Sequence, residues 1–558
     1  MDLLKAAAAW GTVALAIGLL YRPLGDYMAW VFTSRRHTKF ENLIYKAIGV
    51  NPDAEQTWQA YLRGVLAFSG VGLVMLFLLQ VFQHWLPWSL GLPGVRWDTA
   101  FNTAASFVGN TNWQSYVPET TMGYTVQMAG LTVQSFVCAA VGIAVSVALV
   151  RGISRHRSKT LGNFWCDVVR ANLRILLPMS IIAAIILMSG GVVQNLAGFT
   201  HITTIDGGGG VIPGGPVASQ ESIKMLGTNG GGFFNGNSAH PFENPTPWTN
   251  MFQVFMLLII PFTLCRTFGK MVKDQRLGYT ILATMVVLFT TAYVAITAAE
   301  LSAGGTAMQL AGGSMEGKEQ RFGIFGSTLF ATATTGTSGG ASNSMHGSYT
   351  AVGAMVEIMH MSLGELSPGG VGAGLYTMLV LVIIGVFLTA HLLGRTPVFL
   401  GKRVGLTEMK LASVFILVMP VLAMGGMALT MAIPSVHAEV VNKAMSEPGP
   451  QGLTEFVYAF ISCAINNGSS MAGFSANTVW LNVTLGIIIL AGRFVVIGLV
   501  LVLAASLGEQ DRVPVQMDVL PLGKPQFVGL LTGIIVVCAL PQFFAILLPA
   551  SLAEVFHP

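Results

Sequence analysis

Long apolar runs recur along the whole chain, each about the length a helix needs to cross a bilayer. With a rise of about 1.5 Å per residue, the hydrocarbon core takes about 17–25 residues. Ten runs qualify: 6–21, 62–82, 126–150, 174–194, 249–268, 278–299, 349–393, 411–433, 479–507 and 527–549. In lipid every backbone polar group must be satisfied inside the protein, so the expected fold class is an all-α polytopic membrane protein of about ten transmembrane helices. Composition agrees, with 53% hydrophobic and only 10% charged residues against about 25% charged in a soluble domain. The net charge of +4 is scattered between the runs. No continuous basic face exists, which excludes a nucleic-acid partner. The five cysteines show no CxxC spacing, which argues against a disulfide framework or a zinc site.

The run 349–393 is too long for one straight crossing. Ser367, Pro368, Gly369, Gly370 and Gly372 interrupt it, and such residues predict a kinked or broken helix where protein or water surrounds the backbone. The first run follows Lys5 as a signal peptide would, but the basic cluster Arg22, Arg35, Arg36, Lys39 and Lys46 comes after it without a small-x-small cleavage site. A retained helix is expected. Three further basic clusters, Arg151–Lys159, Arg266–Arg276 and Arg395–Lys410, fall on the same side of the predicted spans. The opposite loops hold only Arg96, Lys224, Lys318, Arg321 and Lys443. Cytoplasmic loops carry the lysine and arginine excess, so both termini are expected outside.

Four of the outward loops share one plan, a polar or acidic start, a short apolar stretch and a burst of Gly, Asn, Thr and Ser. The bursts are Gly109-Asn110-Thr111-Asn112, Gly227-Thr228-Asn229-Gly230-Gly231-Gly232, Thr335-Gly336-Thr337-Ser338-Gly339-Gly340 and Asn466-Asn467-Gly468-Ser469-Ser470. Each lies between a pair of spans, a fourfold internal repeat of helix, pore loop and helix with one extra span at each end. The corresponding boundaries are 1–61 for the extra N-terminal helix and its loop, 62–150, 151–276, 277–410 and 411–510 for the repeats, and 511–558 for the C-terminal helix. A lone Gly-rich loop is ordinarily a turn, and the run Gly207–Gly210 is read as one. No GxxxxGK[ST] pattern supports a phosphate cradle at Gly227–Gly232.

Such bursts suit a cation. An ion entering a bilayer must exchange its water shell for something nearly as good, and rings of backbone carbonyls supply that without fixed charge. Small residues let the backbone approach, while Thr, Asn and Ser hold neighbouring backbone groups. The apolar stretch before each burst fits a half-length helix, with Asp98, Ser219, Glu319 and Thr454 near its start as capping or dipole-complementing residues and its negative end toward the ion. Arg493 sits mid-span at 479–507, where a charge costs about 2.5–3.5 kcal/mol or more. It either ties two helices together or stands beneath the selective site and opposes leakage. Glu365, beside the break in the seventh run, either lines a polar path or caps a helix end at the membrane edge.

The segments NTNWQSY (Asn110–Tyr116), GPVASQE (Gly215–Glu221), GTNGGGFFNGNSAHPFENP (Gly227–Pro245), MEGKEQRFG (Met315–Gly323), GRTP (Gly394–Pro397) and NNGSSMAGFSAN (Asn466–Asn477) closely resemble the potassium-binding A subunit of the bacterial Kdp potassium-transporting ATPase. The resemblance implies a potassium-channel-like pore fold of the potassium-transporter superfamily, working inside a high-affinity uptake pump of the bacterial inner membrane. It carries potassium-filter roles onto Asn110, Thr111 and Asn112, Thr228, Asn229 and Gly230, Ser338, Gly339 and Gly340, and Asn466, Asn467 and Gly468. It also implies an influence of Gln114 on ion selection and places Arg493 beneath the filter. Gly339 stands where the family can carry a cysteine, which implies a looser third wall. No burst is a full TVGYG sequence, suggesting fewer well-formed ion sites than in a potassium channel. The implied ligand is the potassium ion alone, with no nucleotide bound. No Asp is followed by KTGT, the phosphorylation motif of P-type ATPases, so the chain reads as a non-catalytic subunit. The resemblance supplies the partners: a phosphorylated catalytic B subunit, a C subunit, a small F subunit and the surrounding membrane lipid. In that scheme the ion leaves the filter through an intersubunit tunnel. The alternative is a stand-alone potassium channel or ion-coupled transporter of the same superfamily.

Overall fold

The computed structural model describes residues 2–302, 304–363, 366–513 and 522–538. Among these, nine helices are long and apolar enough to cross a membrane. Four repeats of outer helix, short pore helix and inner helix make up the body. The first runs Trp58–Val81, Trp97–Val108 and Val133–Ser154, the last preceded by a π-helical segment, Val126–Thr132. The second is Phe164–Ser189, Val217–Leu226 and Pro247–Met271. In the third, Gln275–Leu301 and Gly323–Gly336 precede an inner helix in two pieces, Ala351–Ser362 and Ala373–Leu392. The fourth comprises Leu406–Ala432, Pro450–Ala464 and Val479–Glu509.

Contacts between the first and fourth inner helices close the four repeats on themselves, and each pore helix packs against helices of its own repeat. The pore helices are buried nearly all round. Their small and hydroxylated residues, such as Ala104, Ala105, Ser106, Thr332 and Ala333, allow that tight enclosure without leaving polar groups stranded. The extra N-terminal helix, Asp2–Thr33, lies along the second inner helix, where Arg266 Nε meets Asp26 Oδ1 at 2.8 Å.

The long seventh run breaks as expected. Gly369 and Gly372 take φ of +79° and +85°, and a Cβ on Gly372 would lie 2.1 Å from the Gly142 carbonyl oxygen, so the chain crosses the first inner helix where only glycine fits. The Gly207–Gly210 run forms the turn and start of a small exposed hairpin, Thr200–Thr203 with Gly209–Ile212. Two expectations need correction. The fourth span starts at Phe164 rather than 174, because Asp167 and Arg174 are paired inside the protein, with Arg151 (Nη1–Oδ2 2.6 Å) and Glu41 (Nε–Oε1 2.5 Å). Among the described residues no pore helix carries a side-chain N-cap, although Asp98 complements the dipole from the first turn of its helix: Asp98 binds Arg96 and Asn482, the Ser219 and Thr454 hydroxyls donate to the Pro216 and Pro450 carbonyls, and Glu319 pairs with Arg321 ahead of its helix. The tenth run, 527–549, lies partly outside the described residues, which show an apolar helix over Pro525–Cys538.

Candidate functional site

Each pore helix ends in the same way. Two residues beyond its last helical residue, the backbone turns into the left-handed region, at Asn110 (φ +66°), Thr228 (+47°), Ser338 (+50°) and Asn466 (+59°). The next residue donates its N–H back to the carbonyl five residues earlier: Thr111 to Ser106 (2.9 Å), Asn229 to Lys224 (2.9 Å), Gly339 to Thr334 (3.2 Å) and Asn467 to Ser462 (2.8 Å). This is a Schellman termination made four times. It turns the chain sharply off each helix and leaves the negative end of the helix dipole at the start of each polar segment. Asn tolerates the left-handed region better than other non-glycine residues, whereas Thr228 and Ser338 cost on the order of 1 kcal/mol each to hold there.

Beyond these turns the four segments converge. A Cβ on Gly230 would lie 2.4 Å from the Thr111 carbonyl oxygen and 2.8 Å from Gly340 Cα. One on Gly340 would meet the Gly468 carbonyl carbon at 2.6 Å and the Asn467 oxygen at 2.8 Å. On Gly468, φ +96°, it would meet the Thr111 oxygen at 1.8 Å. First, second, third and fourth walls therefore close in order around one centre, with glycine at three of the four crowded positions.

Side chains lock neighbouring walls together. Asn110 Nδ2 donates to the Thr228 carbonyl (3.2 Å), and Asn229 Nδ2 to Asn110 Oδ1 (2.9 Å). Asn466 Nδ2 donates to Thr111 Oγ1 (2.9 Å), and Asn467 Nδ2 to the Thr334 carbonyl (3.0 Å). Thr334 Oγ1 donates to the Gly339 carbonyl and so clamps the third wall. Asn112 Nδ2 reaches Ser135 Oγ at 2.7 Å. All twelve residues expected from sequence thus lie at one place, eleven of them buried and Gly468 half-buried. Gln114 stands beside them, accepting from the Gly232 N–H (3.0 Å) and lining a vestibule of about 620 Å³.

Sequence reasoning missed the scaffold behind the second wall. Lys224, assigned above to an outward loop, is on the pore helix with its ammonium buried between Glu221 Oε2 (2.6 Å) and Glu243 Oε2 (3.2 Å). It also donates to Asn237 Oδ1 (2.8 Å), and Asn237 Nδ2 donates to the Gly231 carbonyl (2.5 Å). The Glu243 carboxylate accepts from the Phe234 N–H at 2.7 Å. The motif Gly227–Pro245 is therefore one wall together with the brace that holds it. A Glu and a Lys three apart in an otherwise membrane-depth helix were the available signal.

Beneath the centre lies the loop of the broken inner helix. Thr228 Oγ1 accepts from the Val371 N–H (3.0 Å), and Gly369 N–H donates to the Gly336 carbonyl (2.7 Å). Arg493 is buried nearby: its Nη2 lies 3.5 Å from the Cys138 carbonyl oxygen and 3.1 Å from where a Cβ on Gly142 would stand, and Gly142 itself packs on Val371. No carboxylate among the described residues forms a salt bridge with Arg493. Glu365 lies outside the described residues.

Comparison with known proteins agrees with this geometry. The family model for the potassium-transporting ATPase A subunit matches residues 12–556. The chain is 56% identical to the potassium-transporting ATPase potassium-binding subunit of Clavibacter michiganensis, over 99% of both chains, and 55% identical to that of Cutibacterium acnes, over 97% of both. Among solved structures, the potassium transporter TrkH from Vibrio parahaemolyticus shares the fold, with a TM-score of 0.54, 15% identity and coverage of 90% of this chain and 96% of that one. With the family model spanning almost every residue and the four-walled pore in place, this chain belongs to the family of potassium-transporting ATPase A subunits.

Proposed function

We propose that the chain is the potassium-binding and translocating subunit of a high-affinity, ATP-driven potassium uptake pump. The observation that carries this reading is the convergence of four Schellman-terminated segments, in which Thr111, Gly230, Gly340 and Gly468 meet at backbone contact distance. In the proposed reaction, carbonyls of Asn110–Asn112, Thr228–Gly230, Ser338–Gly340 and Asn466–Gly468 replace the hydration shell of K⁺. The Asn and Thr side chains, bonded between walls, keep the ring from shrinking around a smaller ion. Gln114 fixes the second wall at the vestibule mouth. Below, the Val371 loop and the charge of Arg493 oppose straight passage and favour a sideways exit toward a partner subunit.

Such an exit gives the pump its logic. The chain has no phosphorylation motif, so work must be delivered by a catalytic B subunit, with C and F subunits completing the complex. Membership of the family supports a multi-subunit ATPase; the identity of these partners is part of the proposal. So is the orientation, with both termini outside an inner membrane, which rests on basic loops sharing one end of the bundle: Arg155 pairs with Glu55, Arg157 with Asp511, and Lys402 donates to the Gln510 carbonyl. The test is expression with and without the ATPase partner, measuring potassium uptake and potassium-stimulated ATP hydrolysis. Uptake and stimulation only in the complex are expected; full concentrative uptake by the chain alone would favour the stand-alone transporter instead.

A further inference from the structure

The fourth wall has a support that reaches well outside the filter. Asn467 is oriented by its neighbours: Nδ2 donates to the Thr334 carbonyl (3.0 Å), and Oδ1 accepts from the Ser469 N–H (3.0 Å). Exchanging the two ends of the amide would set donor against donor and acceptor against acceptor. Every proton behind Asn467 is then directed. Ser469 Oγ touches Asn467 Oδ1, which can only accept, so the serine hydroxyl donates there. The Tyr458 hydroxyl, 2.7 Å from Ser469 Oγ, donates to that serine. Its own proton being used, the phenolic oxygen accepts from His346 Nδ1, also at 2.7 Å.

His346 thus carries its proton on Nδ1, and a continuous row runs from His346 through Tyr458 and Ser469 to Asn467. Glu357 stands behind the start of this row, with Oε2 3.4 Å from the same Nδ1 and neither oxygen hydrogen-bonded among the described residues. All five side chains are buried, His346 at 2% exposure and Glu357 at 0%. The elements joined are distinct: His346 begins the turn His346–Ser348 after the third wall, Glu357 is on Ala351–Ser362, and Tyr458 is on the fourth pore helix. A core histidine satisfied by a tyrosine would ordinarily be structural. Here the row ends on a filter residue whose carbonyl oxygen is 2.8 Å from where a Cβ on Gly340 would stand, so a shift of Asn467 is a shift of the ring.

We infer that His346 is a positioning residue for ion selection. Its Nδ1–H fixes Tyr458, and through Ser469 sets the place of the fourth wall, tuning discrimination between K⁺ and monovalent cations of other radius. The inference deepens the filter reading and rests on it.

The test uses the assembled pump in proteoliposomes and the ratio of kcat/KM for K⁺ to that for Rb⁺ in cation-stimulated ATP hydrolysis. Tyr458→Phe removes one hydroxyl and keeps the ring; His346→Leu removes the donor; His346→Asn returns an N–H near the Nδ1 position. One lost hydrogen bond is worth roughly a 3–10-fold change. The K⁺/Rb⁺ ratio should change by that factor in Tyr458→Phe and His346→Leu, change no further in the double variant, and recover in His346→Asn. An unchanged ratio in Tyr458→Phe overturns the proposal, and so does a parallel fall for both ions, which marks a merely structural role. If wild-type pump does not discriminate K⁺ from Na⁺, or if Gly230→Ala leaves K⁺ affinity untouched, the filter reading itself falls and this one with it.

Discussion

One methyl group is enough to disturb the ring at Gly230. The atoms it would meet, the Thr111 carbonyl oxygen at 2.4 Å and Gly340 Cα at 2.8 Å, are backbone and cannot swing aside. Gly230→Ala should therefore raise the potassium concentration for half-maximal uptake by at least about tenfold, a cost of about 1.4 kcal/mol. Gly468→Ala should be worse, since it combines a 1.8 Å approach with φ of +96°. Gly339 is a contrasting case. A Cβ there would meet Thr337 Oγ1 at 3.1 Å and Leu257 Cδ2 at 3.4 Å, both side-chain atoms. Gly339→Ala should shift half-saturation less than Gly230→Ala, and potassium titration of uptake in the three variants orders them. That small residues matter in the bursts was legible in the sequence, but which glycine faces a neighbouring wall was not, because it depends on segments more than a hundred residues away.

At the scale of elements, the pore helices were legible as apolar stretches before polar bursts, and the broken seventh run was legible from its prolyl and glycyl residues. The shared helix termination was not. It is written as Asn, Thr, Ser and Asn, residues with no common sequence signal for the left-handed region, and it is imposed by the surrounding helices. The misplaced start of the fourth span has the same origin, since Asp167 finds Arg151 on the preceding inner helix and Arg174 finds Glu41 in the first loop. Removing one partner of a buried ion pair costs about 3–5 kcal/mol. Asp167→Ala should thus clearly lower the unfolding midpoint in detergent, with the Tyr61 hydroxyl, 3.0 Å from Asp167 Oδ2 and 2.9 Å from the Ala144 carbonyl oxygen, left with the carbonyl alone. Glu41 adds a pH dependence. Burial alone would push its carboxyl up, but hydrogen bonds from the Arg174 guanidinium and the Thr38 N–H hold it below the ordinary value of 4.5. A depressed folded value contributes stability that is complete above the unfolded value and lost as pH falls through the folded one. The stability advantage of wild type over Glu41→Gln should accordingly shrink as unfolding is measured at pH below 4.5.

For the whole molecule, the question is what stops a closed ring of four pore repeats from conducting like a channel. Two features are candidates under the proposed reading, the Val371 loop bonded to Thr228 and the buried Arg493 beside Gly142. An arginine kept among apolar helices costs about 2.5–3.5 kcal/mol or more, a large share of marginal stability, and no paired carboxylate among the described residues offsets it. If its charge is what turns the ion aside, Arg493→Gln should leave the fold intact, even stabilise it, and yet lower the number of potassium ions retained per ATP hydrolysed by the complex. Passive rubidium flux through the variant without ATP should rise. Arg493→Lys keeps a positive charge in the same region and should preserve most of the coupling. The measurement is tracer uptake and ATP hydrolysis on the same proteoliposomes. Equal coupling in all three proteins would mean that Arg493 serves only to join the fourth inner helix to the Cys138 carbonyl, and that the loop alone bars the way.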